Sequence, residues 1–73
     1  MDYATILLTS VTYVYKAQSI LREYSIRSRI VRLEQNRHSR GCGYGLIVED
    51  RDLAKSVDLL RDDRIRIIDV IYD

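Results

Sequence analysis

The chain of 73 residues contains no proline, tryptophan or phenylalanine, and it has one cysteine and one histidine. A single cysteine cannot form an internal disulfide, and it leaves no second sulfur ligand for a structural zinc site. We therefore expect no metal and no bound cofactor, and a reducing compartment, the cytoplasm. The start of the chain lacks a signal-peptide pattern, and no apolar run approaches the ~20 residues that cross a bilayer, so no membrane segment is predicted.

Neither positive nor negative charge is in large excess over the whole chain. The net charge is +1, with a balance of +4 over residues 1–40 and −3 over residues 41–73. A nucleic-acid-binding domain is expected to be strongly basic, so this balance disfavours nucleic acid as a partner. Apolar residues make up 47% of the chain, which argues against disorder, and the length indicates a single domain over residues 1–73.

Hydrophobic periodicity predicts four strands. These are Tyr3–Leu8, Arg29–Leu33, Gly43–Val48 and Arg66–Tyr72. The second carries arginines among its apolar residues, which is typical of an edge strand that discourages further pairing. Most of the six tyrosines are expected in the core or on a sheet face, with Tyr13 as an exposed exception.

Two amphipathic helices are predicted between the strands. The first covers Val11–Tyr24, follows an N-cap at Thr9 or Ser10, and has an apolar stripe of Val14, Ala17, Ile20, Leu21 and Tyr24. The second follows an N-cap at Asp50, with a stripe of Leu53, Ala54, Val57 and Leu60. The acidic residues around the second helix are interpreted as its solvated side rather than as a metal site.

The element order is strand, helix, strand, strand, helix, strand. With short loops and right-handed crossovers, this order predicts an α+β ferredoxin-like βαββαβ sandwich. Its four-stranded antiparallel sheet has the order 4132, with both helices on one face. In this topology the connection into the third strand lies at the same end of the sheet as the start of the first helix.

The stretch from Arg37 to Gly45 holds the only cysteine, the only histidine and all three glycines. The topology is expected to bring Cys42 close to Thr9 and Ser10, where the positive end of the first helix favours a thiolate over a thiol. Arg40 and a protonated His38 would act in the same direction. Gly41 and Gly43 leave the sulfur accessible and permit backbone conformations that other residues avoid.

A structural interpretation of the same residues stays open. A lone cysteine is most often a small buried hydrophobe, and the glycines can serve only to shape a hairpin or a bulge. His38 has no acidic partner at a telling spacing, so it is better explained as a solvated loop residue than as a base. A nucleophile without a positioned base makes a poor enzyme but an adequate carrier of a group.

The residues Ser39, Cys42 and Gly43 also carry a family resemblance. The chain resembles the small bacterial proteins described as selenium/sulfur carrier-like, whose function is unknown, in which a Cys-Gly pair opens the third strand and a serine often stands three residues earlier. The resemblance covers Tyr3–Tyr72 by element order and length. Members of that family often have prolines where this chain has residues 33–35, which contain none. The Cys-Pro dipeptide of better-known sulfur-relay carriers is also absent from this chain.

The resemblance implies a ferredoxin-like carrier with a persulfide or selenosulfide on Cys42. Its partners would be a cysteine desulfurase or a selenium-handling enzyme, with Ser39 and Gly43 beside the reactive sulfur and Thr9, Ser10, His38 and Arg40 in support. The alternative is a non-catalytic interaction or regulatory module that forms a homodimer through the uncovered sheet face.

RNA binding on that sheet face ranks last. Tyr3 or Tyr44 would stack on bases, and arginines would contact phosphate. The candidate arginines are Arg29, Arg32, Arg37 and Arg40. The aromatic-rich third strand that such modules carry is absent.

Overall fold

The computed structural model describes residues 2–32 and 43–72, which form one layer of strands and one of helices. The elements are β1 (Tyr3–Leu8), α1 (Val11–Glu23), β2 (Ser28–Arg32), β3 (Tyr44–Glu49), a 3-10 turn (Asp50–Asp52), α2 (Leu53–Asp62) and β4 (Ile67–Tyr72). The sheet order is β2-β3-β1-β4, and every neighbouring pair is antiparallel. The predicted ferredoxin-like fold, with order 4132, is confirmed.

The two central strands, β1 and β3, set the register of the whole sheet. Thr5 lies opposite Ile47 of β3 on one side and opposite Ile71 of β4 on the other, and Arg29 of β2 lies opposite Ile47. Side chains alternate between the two faces of a strand, so these residues share one face of the sheet. We call this the open face, because the helices pack against the other one.

The core lies between the helices and the opposite face of the sheet. Its buried residues come from the central strands, from one stripe of each helix and from the residues after each helix: Ala4, Ile6, Leu8, Val14, Ala17, Leu21, Ile26, Leu46, Val48, Leu53, Leu60 and Ile65. Leu7 is also buried, at 2% exposure, but it lies on the open face and is not part of this cluster. On the open face Tyr3 is exposed and Ile47 and Ile71 are half-buried, and Asp69, opposite Leu7, is exposed as well.

Both helices end in the same way. The backbone N–H of Ile26 donates to Leu21 O and that of Ser25 to Arg22 O; Ile65 and Arg64 make the same two bonds to Leu60 and Arg61. This pattern is the Schellman motif, which satisfies carbonyls at a helix end and brings an apolar residue back onto the core. Ser25 and Arg64 both have φ of 61°, a left-handed conformation that glycine adopts more easily.

The prediction for Tyr24 was wrong, and the end of α1 explains why. Tyr24 was expected on the buried stripe, but α1 ends at Glu23 and Tyr24 is 51% exposed at the C-cap. Tyr13 is exposed, as expected, and Tyr15 and Tyr72 are exposed as well. Of the tyrosines, Tyr44 packs against the core cluster.

The start of α2 also differs from the prediction. Asp50 was expected to cap the helix, but its backbone N–H donates to Asp2 O at 2.9 Å, which extends the β1–β3 pairing by one step. A 3-10 turn follows, and α2 begins only at Leu53, after an N-cap residue, Asp52, that makes no side-chain capping bond. Within α2, Ser56 is buried, and Ala54, which was expected on the apolar stripe, is exposed.

The free edge of β4 is partly closed by its own side chain. The strand is apolar except for Asp69, whose Oδ1 accepts a hydrogen bond of 2.8 Å from the backbone N–H of Val70. An edge strand presents unpaired N–H groups to which another chain can bind. The Asp69 carboxylate accepts a hydrogen bond from one backbone N–H of this strand. The strand at the opposite edge, β2, carries Arg29 and Arg32.

Ser56 provides a test of the core. Its side chain is fully buried, and its Oγ has no hydrogen-bond partner within the described part of the chain. A buried hydroxyl without a partner costs about 1–3 kcal/mol. We expect Ser56→Ala to raise the free energy of unfolding in urea by about 1 kcal/mol more than Ser19→Ala, an exposed serine of α1 that controls for helix propensity. Equal effects of the two substitutions would contradict this account.

Candidate functional site

The turn from β1 into α1 forms one side of the candidate site. Ser10 is the N-cap, with φ of −154° and ψ of 159°, and its Oγ accepts a hydrogen bond of 3.3 Å from the backbone N–H of Tyr13. The predicted cap at this turn is thus confirmed for Ser10, while Thr9 is exposed beside it. The first turn of α1 contains no acidic residue. The partial positive charge of this helix end is therefore not neutralised by its own residues.

Gly43 is the described residue that leads into β3. It has φ of 85°, a conformation in which a Cβ atom would be strained. The register places Gly45 opposite Leu7, two residues before the chain leaves β1 at Thr9. The entry to β3 and the start of α1 therefore lie at the same end of the sheet, as the topology predicted. Gly43 and Ser10 are brought to one end of the molecule.

The remaining predicted site residues lie outside the described residues. These are Cys42, Ser39, Arg40 and His38. Of the predicted set, the structure describes Thr9, Ser10 and Gly43, and it places all of them at the end of the sheet where β3 begins. The role of the thiol stays a prediction from the sequence.

A second candidate site is a groove on the open face, which we call the Tyr3–Arg29 groove. It has a volume of about 440 Å³ and is lined by Tyr3, Arg27, Ser28, Arg29, Ile47, Val48 and Glu49. Tyr3 lies directly opposite Glu49, and Arg29 directly opposite Ile47. Ile47 thus lies between the arginine side of the groove and its tyrosine side. Sequence reasoning missed Arg27 and Glu49, because only the folded sheet shows that they line one groove with Tyr3.

The charges of this groove are unequal. Arg27 and Arg29 face a single carboxylate, that of Glu49. Glu49 Oε1 is already paired with Arg51 Nε at 3.4 Å, and its side chain is 28% exposed. The groove therefore has an excess of positive charge from two exposed arginines.

The residues proposed for stacking on RNA do not share one face. Tyr3 and Arg29 lie on the open face, whereas Tyr44 packs against the core cluster and lies opposite Arg32. The alternation of side chains along each strand makes this separation unavoidable. Tyr44 is therefore not part of a base-stacking platform with Tyr3.

The described residues offer neither a metal centre nor a membrane-spanning helix. Within residues 2–32 and 43–72, no group of three or more His, Cys, Asp or Glu side chains is arranged to hold a metal ion. Neither described helix combines the length and the apolar character that a membrane span requires.

Comparisons with known proteins identify no relative. No protein-family model matches the chain, and no curated protein or solved structure matches it either.

The Ser10 cap can be tested by substitution. Loss of an N-cap hydroxyl leaves a backbone N–H of the first turn without its partner, so we expect Ser10→Ala to lower the free energy of unfolding by about 0.5–2 kcal/mol. Thr9→Ala is the matched control, because Thr9 is exposed and precedes the cap, and it should change stability by less than about 0.5 kcal/mol. Urea unfolding of both variants measures the difference. Two equal losses would show that Ser10 does not cap α1.

Proposed function

We propose that this protein carries sulfur or selenium on Cys42 and passes it between partner enzymes, without being an enzyme by itself. One observation supports the proposal most. Gly43, the neighbour of Cys42 in sequence, lies at the same end of the sheet as the N-terminus of α1, whose first turn has no acidic residue. A thiol near such a helix end loses its proton more easily, and the thiolate is the reactive form.

The carrier step is a thiol exchange. The Cys42 thiolate attacks the outer sulfur of a persulfide on the donor enzyme, the donor's S–S bond breaks, and the donor cysteine leaves as a thiolate. Cys42 then holds a persulfide, and the reverse type of attack by an acceptor thiolate releases it. Selenium would follow the same course as a selenosulfide. No oxidant is consumed, because the donor persulfide already holds the oxidised sulfur.

The partners that fit this step are a cysteine desulfurase or a selenium-handling enzyme. The family resemblance at Ser39, Cys42 and Gly43 supports the same partners. A free, reactive thiol stays reduced most easily in the cytoplasm, which we propose as the location. Ser39, His38 and Arg40 belong to the same stretch of sequence, and in this proposal they stabilise the charged sulfur.

Loading of Cys42 tests the proposal directly. After incubation with a cysteine desulfurase and free cysteine, intact-protein mass spectrometry should show an increase of about 32 Da, the mass of one sulfur atom. The increase should disappear in Cys42→Ser and after reduction. If a known sulfur acceptor is loaded in the same reaction while this chain gains no mass, the carrier function is wrong.

A second measurement separates the role of α1 from the loading itself. Thr12 is exposed in the first turn of α1, and Thr12→Glu puts a negative charge at the helix end. This should raise the pKa of the Cys42 thiol, measured by pH-dependent alkylation, because a negative charge at the helix end offsets the positive end that favours the thiolate. Ser19→Glu, the same kind of change in the middle of α1, should leave the pKa unaltered. If the two variants agree, the helix does not act on the sulfur.

The second candidate function is a dimeric interaction module. The open face favours it, because Ile47 and Ile71 lie on that face and are only partly buried. Apolar side chains grouped on an uncovered sheet face are typical of an association surface. In this function Cys42 is structural, and Cys42→Ser would leave every partner bound.

The oligomeric state tests this second function. It predicts a dimer in sedimentation equilibrium, and Ile71→Lys should convert the dimer to monomer because the new charge would be buried in the interface. Tyr72→Lys is the control: Tyr72 is the next residue of β4, but it lies opposite Ala4 on the other face of the sheet and should leave the dimer intact. A wild-type chain that stays monomeric at high micromolar concentration rules this function out.

A further inference from the structure

The Tyr3–Arg29 groove is an open depression that extends across three adjacent strands. Its seven lining residues come from β1, from β3, from the start of β2 and from Arg27 just before it. Neighbouring strands are about 4.8 Å apart, so β2 and β1 lie about 10 Å apart on the two sides of Ile47. A flat ring fits across such a width. The volume of about 440 Å³ lies within the range of small-ligand sites, about 300–1,000 Å³.

The two sides of the groove differ in chemistry. Tyr3, which is 39% exposed, supplies an aromatic surface on one side. Arg27 and Arg29, two positions apart and both exposed, supply two guanidinium groups on the other side. Ile47 provides an apolar floor between them. A guanidinium binds a carboxylate or a phosphate through paired N–H donors, and two of them at one edge favour one acidic group.

We propose that the Tyr3–Arg29 groove binds a small molecule made of one flat ring and one acidic group. The ring lies over Ile47 against Tyr3, and the acidic group, a carboxylate or a phosphate, pairs with Arg29 and Arg27. Glu49 does not cancel this charge, because its Oε1 is paired with Arg51. The groove is separate from Cys42: Gly43 and Tyr3 are at opposite ends of the β1–β3 ladder, in which Tyr3 pairs with Glu49 and Leu7 with Gly45.

The charge and volume favour a small molecule over an RNA strand. A strand would need further cations along the same face, but among the described residues Asp69 lies on this face and Arg32 on the other, while Arg37 and Arg40 lie outside the described residues. Continuous positive charge that follows the nucleic-acid backbone is the usual feature of strand-binding surfaces. The groove offers two arginines at one place only.

Titration followed by nuclear magnetic resonance tests the proposal on the full chain. Benzoate and phenyl phosphate are the probes, and they distinguish a carboxylate from a phosphate ligand. Either should shift the amide signals of residues 27–29 and 47–49 saturably and leave those of α1 and α2 unchanged. Benzyl alcohol, which has the ring without the charge, and acetate, which has the charge without the ring, should bind at least about tenfold more weakly, because each loses one of the two contacts.

Matched variants identify the residues responsible. Arg29→Gln should weaken binding of the better probe about tenfold, as expected for loss of a hydrogen bond to a charged group. Arg32→Gln is the control, because Arg32 is exposed on the same strand but on the opposite face, and it should leave the dissociation constant unchanged. Tyr3→Leu should weaken binding about three- to tenfold through loss of the aromatic contact.

Three outcomes would overturn the proposal. The first is the absence of saturable shifts with both probes at millimolar concentration. The second is an equal effect of Arg29→Gln and Arg32→Gln. The third is binding of a single-stranded RNA oligonucleotide at these residues with no binding of either probe, which would make the face a nucleic-acid surface. None of these results depends on whether Cys42 accepts sulfur, so the carrier function and the groove are tested independently.

Discussion

Two helices bury their apolar stripes on the same face of one four-stranded sheet, and the rest of the structure depends on this packing. Val14, Ala17 and Leu21 of α1 join Leu53 and Leu60 of α2 on the side chains of β1 and β3. Burial of such residues is the main favourable term in folding, and in a chain of this size there is only one core to supply it. Because both helices occupy one face, the other face is left uncovered, and the Tyr3–Arg29 groove lies on it.

The same packing also determines what lies at each end of the sheet. The helix α1 carries the chain back along the sheet, so β2 runs in the same direction as β1, and β3 runs in the opposite direction. The chain therefore enters β3 at the end of the sheet where it leaves β1 for α1. Ser10 and Gly43 lie at this end, and the Tyr3–Glu49 pair lies at the other. The two candidate sites are therefore held apart by the length of two central strands. Each could change without altering the other.

The fold was predictable from the sequence because its signals are local and repeated. Six segments with a clear period of two or of 3.6, and short connections between most of them, leave few topologies to consider. The errors came where local signals compete with tertiary ones. Asp50 looks like a helix cap, but its N–H continues the strand pairing with Asp2, and α2 begins three residues later, at Leu53. Tyr24 continues the helical spacing beyond the point where the helix ends.

The candidate sites were predictable only in part. The cap at Ser10 and the unusual backbone of Gly43 follow from residue type, since hydroxyls cap helices and glycine accepts positive φ. The groove could not be found in this way, because Arg27, Glu49 and Tyr3 are far apart in sequence and become neighbours only through strand register. A register error of one residue would have put each of them on the opposite face.

The matching ends of α1 and α2 tie each helix to the strand that follows it. In both halves the residue after the positive-φ turn, Ile26 or Ile65, returns to the core, and the next strand begins two residues later, at Ser28 or Ile67. Because side chains alternate along a strand, the position of this buried residue sets which side chains of that strand face the helices. The phase of β2 and of β4 is therefore determined by the way the preceding helix stops.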